Sequence, residues 1–306
     1  TNQTEITEFI LLGIEGPQTV NLFLYFVFLV LYILTTCGNL LIIVLFLKSQ
    51  HLSFPLYFFL TNLSICDISL STIVAPTLFS NLLRGRLSIS VTDCFLQVYA
   101  YGSTLSAECN LLAVMSYDRY LAICNPLHYI RIMTPNLRAN LVLFSWLSSF
   151  LYCFIAILEV LSLEFCGCNV INYIYCEIVP LLAISCKNTT ILQLTTTAMS
   201  VPIILIPFLF ILLTYVHIAL TILKIPSVSG RKKAFSTCSS HLTVVCMFFG
   251  VLIAKYMVAS NDQSLNLNKA ISLLYTAVTP FLNPIVYSLR SKDIRTAAFK
   301  LFTGIK

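Results

Sequence analysis

Long apolar runs recur along the chain, and polar residues gather in the shorter stretches between them. A helix needs about 20 mostly apolar residues to cross the hydrocarbon core of a bilayer, where its backbone groups must pair within the helix. Seven runs are long enough: Val20–Leu47, Leu56–Ser80, Phe95–Cys124, Leu141–Leu158, Leu192–Leu223, Leu242–Ala259 and Ala270–Leu289. The pattern predicts an all-α membrane protein built as a seven-transmembrane helix bundle.

Composition favours a membrane protein over other classes. Of the 306 residues, 58% are hydrophobic and only 10% are charged, whereas about a quarter of the residues in a soluble domain are charged. This balance excludes a disordered chain, a nucleic-acid-binding domain and a small secreted disulfide-rich domain. Because we find no internal repeat and no soluble domain in the sequence, we expect a single seven-transmembrane domain over residues 1–306.

Basic residues predict the orientation of the chain in the membrane. With the N-terminus outside, five of the 18 basic residues lie on the outer side and the other thirteen on the cytoplasmic side. The positive-inside rule therefore favours an extracellular tail over residues 1–19 and a cytoplasmic tail over residues 290–306. Because the leader is acidic and lacks a basic segment, we expect the first span to act as an uncleaved signal anchor. The five outer basic residues are Arg84, Arg86, Lys187, Lys255 and Lys269.

The outer side also carries candidate sites of covalent modification. Asn2 begins a glycosylation sequon in the N-terminal tail, and Asn188 begins another in an outer loop, whose use the sequence leaves open. Five cysteines face this oxidising side, where disulfides persist. Five is an odd number, so at least one is left over, and the sequence alone does not give the connectivity. They are Cys94, Cys166, Cys168, Cys176 and Cys186.

Apolar residues after the seventh span share one helical face. This spacing predicts a short amphipathic helix on the inner leaflet, and the alternative is a disordered basic tail. The residues of the apolar face are Ile294, Ala298, Leu301 and Phe302.

Five motifs resemble those of a known family. Residues 115–124 read MSYDRYLAIC and are followed by PLHY at 126–129, which is similar to the most diagnostic motif of vertebrate odorant receptors. The other motifs are FILLG at 9–13, PLYFFL at 55–60, KAFSTCSSHL at 233–242 and PFLNPIVY at 280–287. They occur in the family's order over almost the whole chain. The sequence therefore resembles this branch of the rhodopsin-like G-protein-coupled receptors, and the expected single domain is a receptor domain.

The resemblance implies a pairing of the outer cysteines. Cys94 would bridge to Cys176, and Cys166 to Cys186 within the second outer loop. Cys168, at a position where the family seldom has cysteine, would be the odd one. Exchange among Cys166, Cys168 and Cys186 stays open.

The resemblance also implies a two-state switch at the inner end of the third span. In such receptors an arginine, here Arg119, is held by its neighbouring acid Asp118 at rest and is released to meet the tail of the G protein. Without the flanking motif, the two residues would be interpreted as a boundary ion pair that sets helix depth. The other residues that resemble parts of the switch are Tyr120, Tyr215, Asn283, Pro284 and Tyr287.

Asp67 and Glu108 are the only acids deep within the predicted spans. Intramembrane acids are costly and functional by default, and two carboxylates close together would share a proton or hold a cation. Asn39 and Asn283 resemble residues that line such a site in the family. We therefore expect a sodium-type site that stabilises the resting state, and no other cofactor. The alternative is a neutral hydrogen-bonded cluster that only joins helices.

Helical offsets from the motifs place a ligand pocket in the outer half of the bundle, between the third, fifth, sixth and seventh spans. Tyr101 stands where amine receptors carry an aspartate, and Ala277 where opsins carry the retinal lysine, so neither ligand class fits. Lys255 is expected to snorkel to the surface. The candidate lining is mostly apolar with a few hydroxyls, which suits a small volatile ligand with one polar group. It comprises Tyr101, Gly102, Leu105, Ser106, Met199, Ser200, Ile203, Ile253, Tyr256 and Thr276.

Together these features predict an odorant receptor of the plasma membrane that activates a stimulatory, olfactory-type G-protein α subunit and raises cyclic AMP. The expected partners are a small volatile odorant, that heterotrimeric G protein and membrane lipid, with no nucleic acid. The absence of HExxH, GxSxG and P-loop motifs argues against an enzyme. The alternatives are a channel or transporter, since intramembrane acids also mark ion paths, and a receptor for a non-volatile internal ligand.

Overall fold

The described part of the chain forms a bundle of seven long helical segments. In a computed structural model of the protein, the described residues are 6–14, 16–49, 54–165, 169–186, 190–259 and 265–303. The first six segments are α1 (Gln18–Lys48), α2 (Pro55–Arg84), α3 (Val91–Cys124), α5 (Pro135–Val160), α7 (Thr190–Lys224) and α8 (Val228–Ala259). The seventh joins α9 (Leu265–Leu273), the π-helical turn Leu274–Val278 and α10 (Thr279–Arg290). The short helices are α4 (Tyr129–Ile132), α6 (Ile178–Ala183) and α11 (Lys292–Thr303). The predicted seven-helix membrane fold is confirmed.

The third segment, α3, lies at the centre of the bundle, where it contacts α2, α5, α7 and α8. By length and composition, six of the described helical segments are able to cross a membrane, and α3 is not among these six. It buries polar groups such as Glu108 and Asp118. Because protein rather than lipid surrounds α3, these groups find partners on neighbouring helices.

The peripheral helices expose apolar side chains and bury polar ones. Phe23 and Leu213 are more than half exposed, whereas Asn39 and Ser145 are fully buried. This distribution is the reverse of that in a water-soluble helix bundle. An apolar outer surface of this kind is stable against the hydrocarbon of a bilayer, so the structure supports a multi-pass membrane protein.

A small sheet covers the end of the bundle that carries the N-terminal tail, which we call the outer end. β1 (Glu8–Leu11) pairs antiparallel with β2 (Leu87–Ser90) and parallel with β3 (Val170–Ile171). Phe9 and Leu11 alternate onto the buried face of β1. The sequence pattern predicted no strand here, because segments this short show no visible alternation. The sheet ties the N-terminal tail to the first and second outer loops.

The inner ends of the last helices extend beyond the apolar runs. α8 begins at Val228 rather than at the predicted Leu242, because the basic segment before the run continues the helix. The amphipathic helix is confirmed as α11. Of its predicted apolar face, Ile294 is buried, Ala298 and Leu301 are partly buried, and the side chain of Phe302 lies outside the described ones; Ala297, which was not predicted, is buried as well. Tyr57 of α2 donates to Asp293 Oδ2 at 2.9 Å and so fixes the start of α11 against the bundle.

Candidate functional site

The inner end of α3 holds a closed ion pair. Arg119 Nε donates to Asp118 Oδ2 at 3.0 Å, and a terminal nitrogen of Arg119 contacts the same oxygen. The other oxygen, Oδ1, accepts from the Tyr129 hydroxyl at 2.7 Å. Burial, followed by the neighbouring Asp118 carboxylate, raises the pKa of the Tyr129 phenol, so Tyr129 stays a donor. Both carboxylate oxygens are therefore occupied, and Arg119 is held against its own helix.

A second polar connection joins α3, α7 and α8 through His241. Its Nε2 lies 3.2 Å from the carbonyl oxygen of Leu112, which can only accept, so Nε2 carries the proton. The unprotonated Nδ1 then accepts from the Tyr215 hydroxyl at 2.7 Å, and the two rings stack. Tyr215 thus bonds to His241 in this structure. The sequence pattern predicted no role for His241, although it lies in the motif at 233–242.

The other predicted switch residues surround this region. Tyr287 is buried, and its hydroxyl has no hydrogen-bond partner in the described structure. Tyr120 stacks on Tyr117 and meets the edge of His217 on α7. Pro284 packs so closely on α1 that a Cβ at Gly38 would lie 3.2 Å from its Cγ. A side chain at position 38 would require Pro284 or α1 to shift by a few tenths of an ångström, so Gly38 eases the close approach of α1 to α10.

A buried polar centre lies at mid-bundle around Asp67 and Glu108. The Asn283 amide donates to Asp67 Oδ1 at 2.9 Å and also lies beside the Glu108 carboxylate. Tyr275 donates to Glu108 Oε2 at 3.3 Å. Asn39 instead donates to the backbone oxygen of Pro280 at 3.1 Å. The structure thus brings three of the four predicted residues together and adds Tyr275, which no motif or spacing indicated.

Several oxygens of this centre are buried without a hydrogen-bond donor in the described structure. They are Asp67 Oδ2, Glu108 Oε1 and Asn283 Oδ1. Buried polar atoms normally have partners, so each orphaned acceptor requires a reason. Small hard cations bind oxygen ligands of this kind. The donor set therefore fits a bound cation.

The second outer loop enters the outer end of the bundle. A disulfide joins Cys176 to Cys94 at the start of α3, the pair that the resemblance implies. The Cys176 amide donates to Gln97 Oε1 at 2.9 Å, and Tyr175 donates to the Tyr101 hydroxyl at 3.3 Å. Burial raises the pKa of Tyr175 well above its ordinary value, so its phenol remains uncharged. We call this segment of the second outer loop, residues 169–177, the lid.

The remaining covalent predictions fall largely outside the described residues. Cys186 is disulfide-bonded, but the predicted pairing with Cys166 and the odd Cys168 lie outside them. The glycosylation sequons at Asn2 and Asn188 lie outside them as well.

An aromatic cluster lies beneath the lid. Phe249 of α8 packs on Phe208 of α7 with ring centroids 5.1 Å apart, and Phe248 packs on Tyr275 at 5.5 Å. None of these four residues was in the predicted lining. Of the predicted residues on α3, Tyr101 and Ser106 are buried, and Gly102 and Leu105 are partly buried. Ile203 is also partly buried, whereas the side chains of Met199, Ser200 and Tyr256 lie outside the described ones.

Two predicted lining residues lie elsewhere. Thr276 lines a cavity of about 20 Å³ against α1 and α2, with Tyr32 and Ser71 among its walls; this is room for about one water molecule. The π-helical turn at 274–278 shifts the register of the seventh segment, so Tyr275 rather than Thr276 faces α8. On α8, Ile253 is 44% exposed while its neighbour Leu252 is 2% exposed. A regular helical offset therefore misplaces both residues.

Lys255 does not snorkel to the surface, and that prediction is wrong. Its ammonium lies 2.5 Å from Glu177 Oε1, in the lid beside Cys176. It also lies 5.9 Å from the centre of the Tyr101 ring. An acid in the lid and an aromatic face on α3 thus draw the lysine inward.

Comparisons with known proteins agree on the family. A family model described as olfactory receptor matches residues 28–304. Human olfactory receptor 6F1 is 44% identical over 303 residues, which cover 99% of this chain and 98% of that protein. Mouse olfactory receptor 1M1 is 42% identical, covering 98% of this chain and 96% of that protein. The crystal structure of squid rhodopsin shares the fold, with a TM-score of 0.78 at 18% identity over 94% of this chain and 82% of that one. The chain therefore belongs to the olfactory receptor family, which consists of G-protein-coupled receptors for odorants and not of enzymes.

Proposed function

We propose that this receptor binds a small, mostly apolar volatile ligand in the outer half of its bundle and activates a stimulatory, olfactory-type G-protein α subunit, raising cyclic AMP. The closed pair of Asp118 and Arg119 carries the proposal, because it is a resting state that a ligand can shift by preferring the open one. In this proposal the N-terminus is extracellular in the plasma membrane. The basic inner residues Arg131 and Lys233 then face the G protein and anionic lipid.

The surroundings of the lid support the ligand class. Tyr101 and Ser106 offer hydroxyls, and Phe208 and Phe249 offer apolar ring faces. Sites for small ligands are lined mostly by apolar and aromatic groups with a few polar ones. We place the ligand between these residues, beside Leu105, Gly102 and Ile203.

The switch proposal follows from the inner contacts. On activation Arg119 leaves Asp118 and meets the G-protein tail, while Tyr215 and Tyr287 turn to support it. The unpartnered hydroxyl of Tyr287 supports this role, since a buried phenol without a partner is costly in the resting state. Tyr215 must exchange His241 for its new partner.

A sodium ion held by Asp67, Glu108 and Asn283 is proposed to stabilise the resting state. The unpaired oxygens of these residues support the proposal. An ion that binds the resting state more tightly than the active one raises the ligand concentration needed for activation. Asn39 would contribute through its unpaired Oδ1 or by fixing the neighbouring backbone.

Expression of the full chain with and without the olfactory-type α subunit tests the function. A panel of volatile ligands should raise cyclic AMP only with that subunit, and Arg119→Ala should abolish the response. Arg84→Ala, which changes an exposed arginine at the outer end of α2, is the matched control and should respond. Ligand-gated current that persists without any G protein would instead favour the channel. Activation by non-volatile ligands alone would favour the internal-ligand receptor.

A further inference from the structure

The lid and the sixth segment are joined by a largely buried ion pair. Lys255 Nζ and Glu177 Oε1 are 2.5 Å apart, and the two side chains are only 12% and 18% exposed. A pair this shielded from water interacts more strongly than a surface pair, and removing one partner leaves a buried charge without compensation.

Glu177 is held in place by its neighbours. It follows Cys176, which the disulfide fixes to Cys94 and whose amide donates to Gln97. The backbone beside Glu177 is therefore anchored to α3, while Lys255 belongs to α8. The pair sits at a defined position between two of the segments that enclose the proposed ligand site.

The pair also borders that site. The Lys255 ammonium lies 5.9 Å from the ring centre of Tyr101, and among the described residues the phenols of Tyr101 and Tyr173 also face it. A lysine ammonium has three donors. Among the described contacts Glu177 uses one of them, and the ligand that we propose would meet another.

We propose that Glu177 and Lys255 form a specificity-determining pair that selects an uncharged ligand with a hydrogen-bond acceptor, such as an ester, ketone or aldehyde. A ligand carboxylate at Lys255 would lie beside the Glu177 carboxylate, and a ligand ammonium would lie beside Lys255. Juxtaposed like charges disfavour both. A neutral carbonyl can accept from the ammonium without displacing Glu177. The inference rests on the proposed ligand site but not on the G-protein subtype.

Four variants of the full chain test the pair. Glu177→Gln leaves the Lys255 ammonium without its partner charge, and Lys255→Met does the same to the Glu177 carboxylate. The double variant carries neither charge. The exchange of Glu177→Lys with Lys255→Glu restores an ion pair in the opposite orientation. Glu159→Gln, which removes an acid at the end of α5 away from Lys255, is the matched control for net charge.

The probes are straight-chain carboxylic acids, their methyl esters and the corresponding primary amines. Binding is measured as ligand-induced thermal stabilisation of purified receptor, and signalling as cyclic AMP.

The wild type, the control, the double variant and the exchanged pair should prefer the esters. Glu177→Gln should shift the acid-to-ester affinity ratio toward the acid by at least about tenfold, which corresponds to about 1.4 kcal/mol. Lys255→Met should shift the amine-to-ester affinity ratio toward the amine by the same factor. If the single variants do not fold, the exchanged pair decides, because it keeps both charges and should still prefer esters. An exchanged pair that prefers acids, beside a wild type that prefers esters, would overturn the proposal.

Unchanged ratios in folded single variants would show that the pair only tethers the lid, and would also overturn the proposal. If the ratios shift in the binding measurement while cyclic AMP stays flat, the pair is supported and the G-protein assignment fails instead.

Discussion

The side-chain amide of Asn39 donates to the backbone oxygen of Pro280 at 3.1 Å. In a regular helix that oxygen would accept from the amide of the residue four positions later, which here is Pro284 and has no N–H. Asn39 on α1 therefore supplies the hydrogen bond that the proline removes from the seventh segment. Gly38 allows the two helices to approach closely enough for this bond.

Replacing Asn39 by alanine should lower the free energy of unfolding by about 1 kcal/mol. This value lies between the cost of an orphaned buried acceptor, about 1–3 kcal/mol, and the average membrane hydrogen bond, about 0.6 kcal/mol. Thermal unfolding of purified receptor measures it. Asn62→Ala is the control, because the Asn62 amide bonds to a carbonyl within its own regular helix. Adding Pro284→Ala restores a backbone N–H that can bond to the Pro280 oxygen, so it should offset part of the lost free energy of unfolding. If the losses of the two substitutions simply add in the double variant, Asn39 does not replace the hydrogen bond that Pro284 removes.

Loss of the contacts to Asp118 should raise basal signalling. Tyr129→Phe removes one hydrogen bond to the carboxylate and should shift the balance toward the active state by a few-fold. Asp118→Asn removes the charge that holds Arg119 and should shift it by about tenfold or more, since about 1.4 kcal/mol is a factor of ten. Cyclic AMP without ligand, normalised to surface expression, is the readout. Tyr25→Phe on α1 should leave it unchanged. Basal signalling at the wild-type level in Asp118→Asn would show that the ion pair does not restrain the receptor.

Sodium should reduce ligand potency in the wild type and lose this effect when the polar centre is changed. Asp67→Asn and Glu108→Gln each remove a proposed ligand charge. Concentration–response curves across a sodium series at constant ionic strength measure the effect, with potassium as the replacing ion. Asp93→Asn, an acid at the outer start of the same helix as Glu108, should keep the sodium dependence. If both centre variants also keep it, the cluster acts as a neutral connection between helices.

The disulfide between Cys94 and Cys176 should contribute strongly to stability. It closes a loop with a sequence separation of 82 residues, for which chain entropy predicts about 4.5 kcal/mol as an upper value. Cys176→Ser should therefore lower the thermal midpoint and the surface expression, and it should weaken ligand binding because the lid loses its anchor. Cys37→Ser changes an exposed free cysteine and is the control. Equal midpoints in the two variants would contradict this contribution.

The sequence located the membrane helices well because the bilayer imposes one simple requirement on each. Length and apolar composition are local properties, so the run Leu56–Ser80 can be identified as a span from its letters alone. The same runs concealed where the sixth helix begins, since α8 continues from Val228 through basic residues that lie beyond the apolar stretch.

Site residues followed from motifs where a short local segment contains the whole feature. Asp118 and Arg119 are adjacent, and their pairing needs no distant partner. Tyr215 illustrates the opposite case, because its contact with His241 depends on how α7 and α8 pack.

By itself the sequence determined the seven spans, the expected orientation and the residues that carry charge within the membrane. The tertiary structure alone decided that Lys255 turns toward Glu177, that Tyr275 rather than Thr276 faces α8, and that Asn39 completes the backbone of the seventh segment. The physical reason is that hydropathy is a property of consecutive residues. A polar group buried in a bundle instead takes the partner that helix rotation and register bring within hydrogen-bond distance.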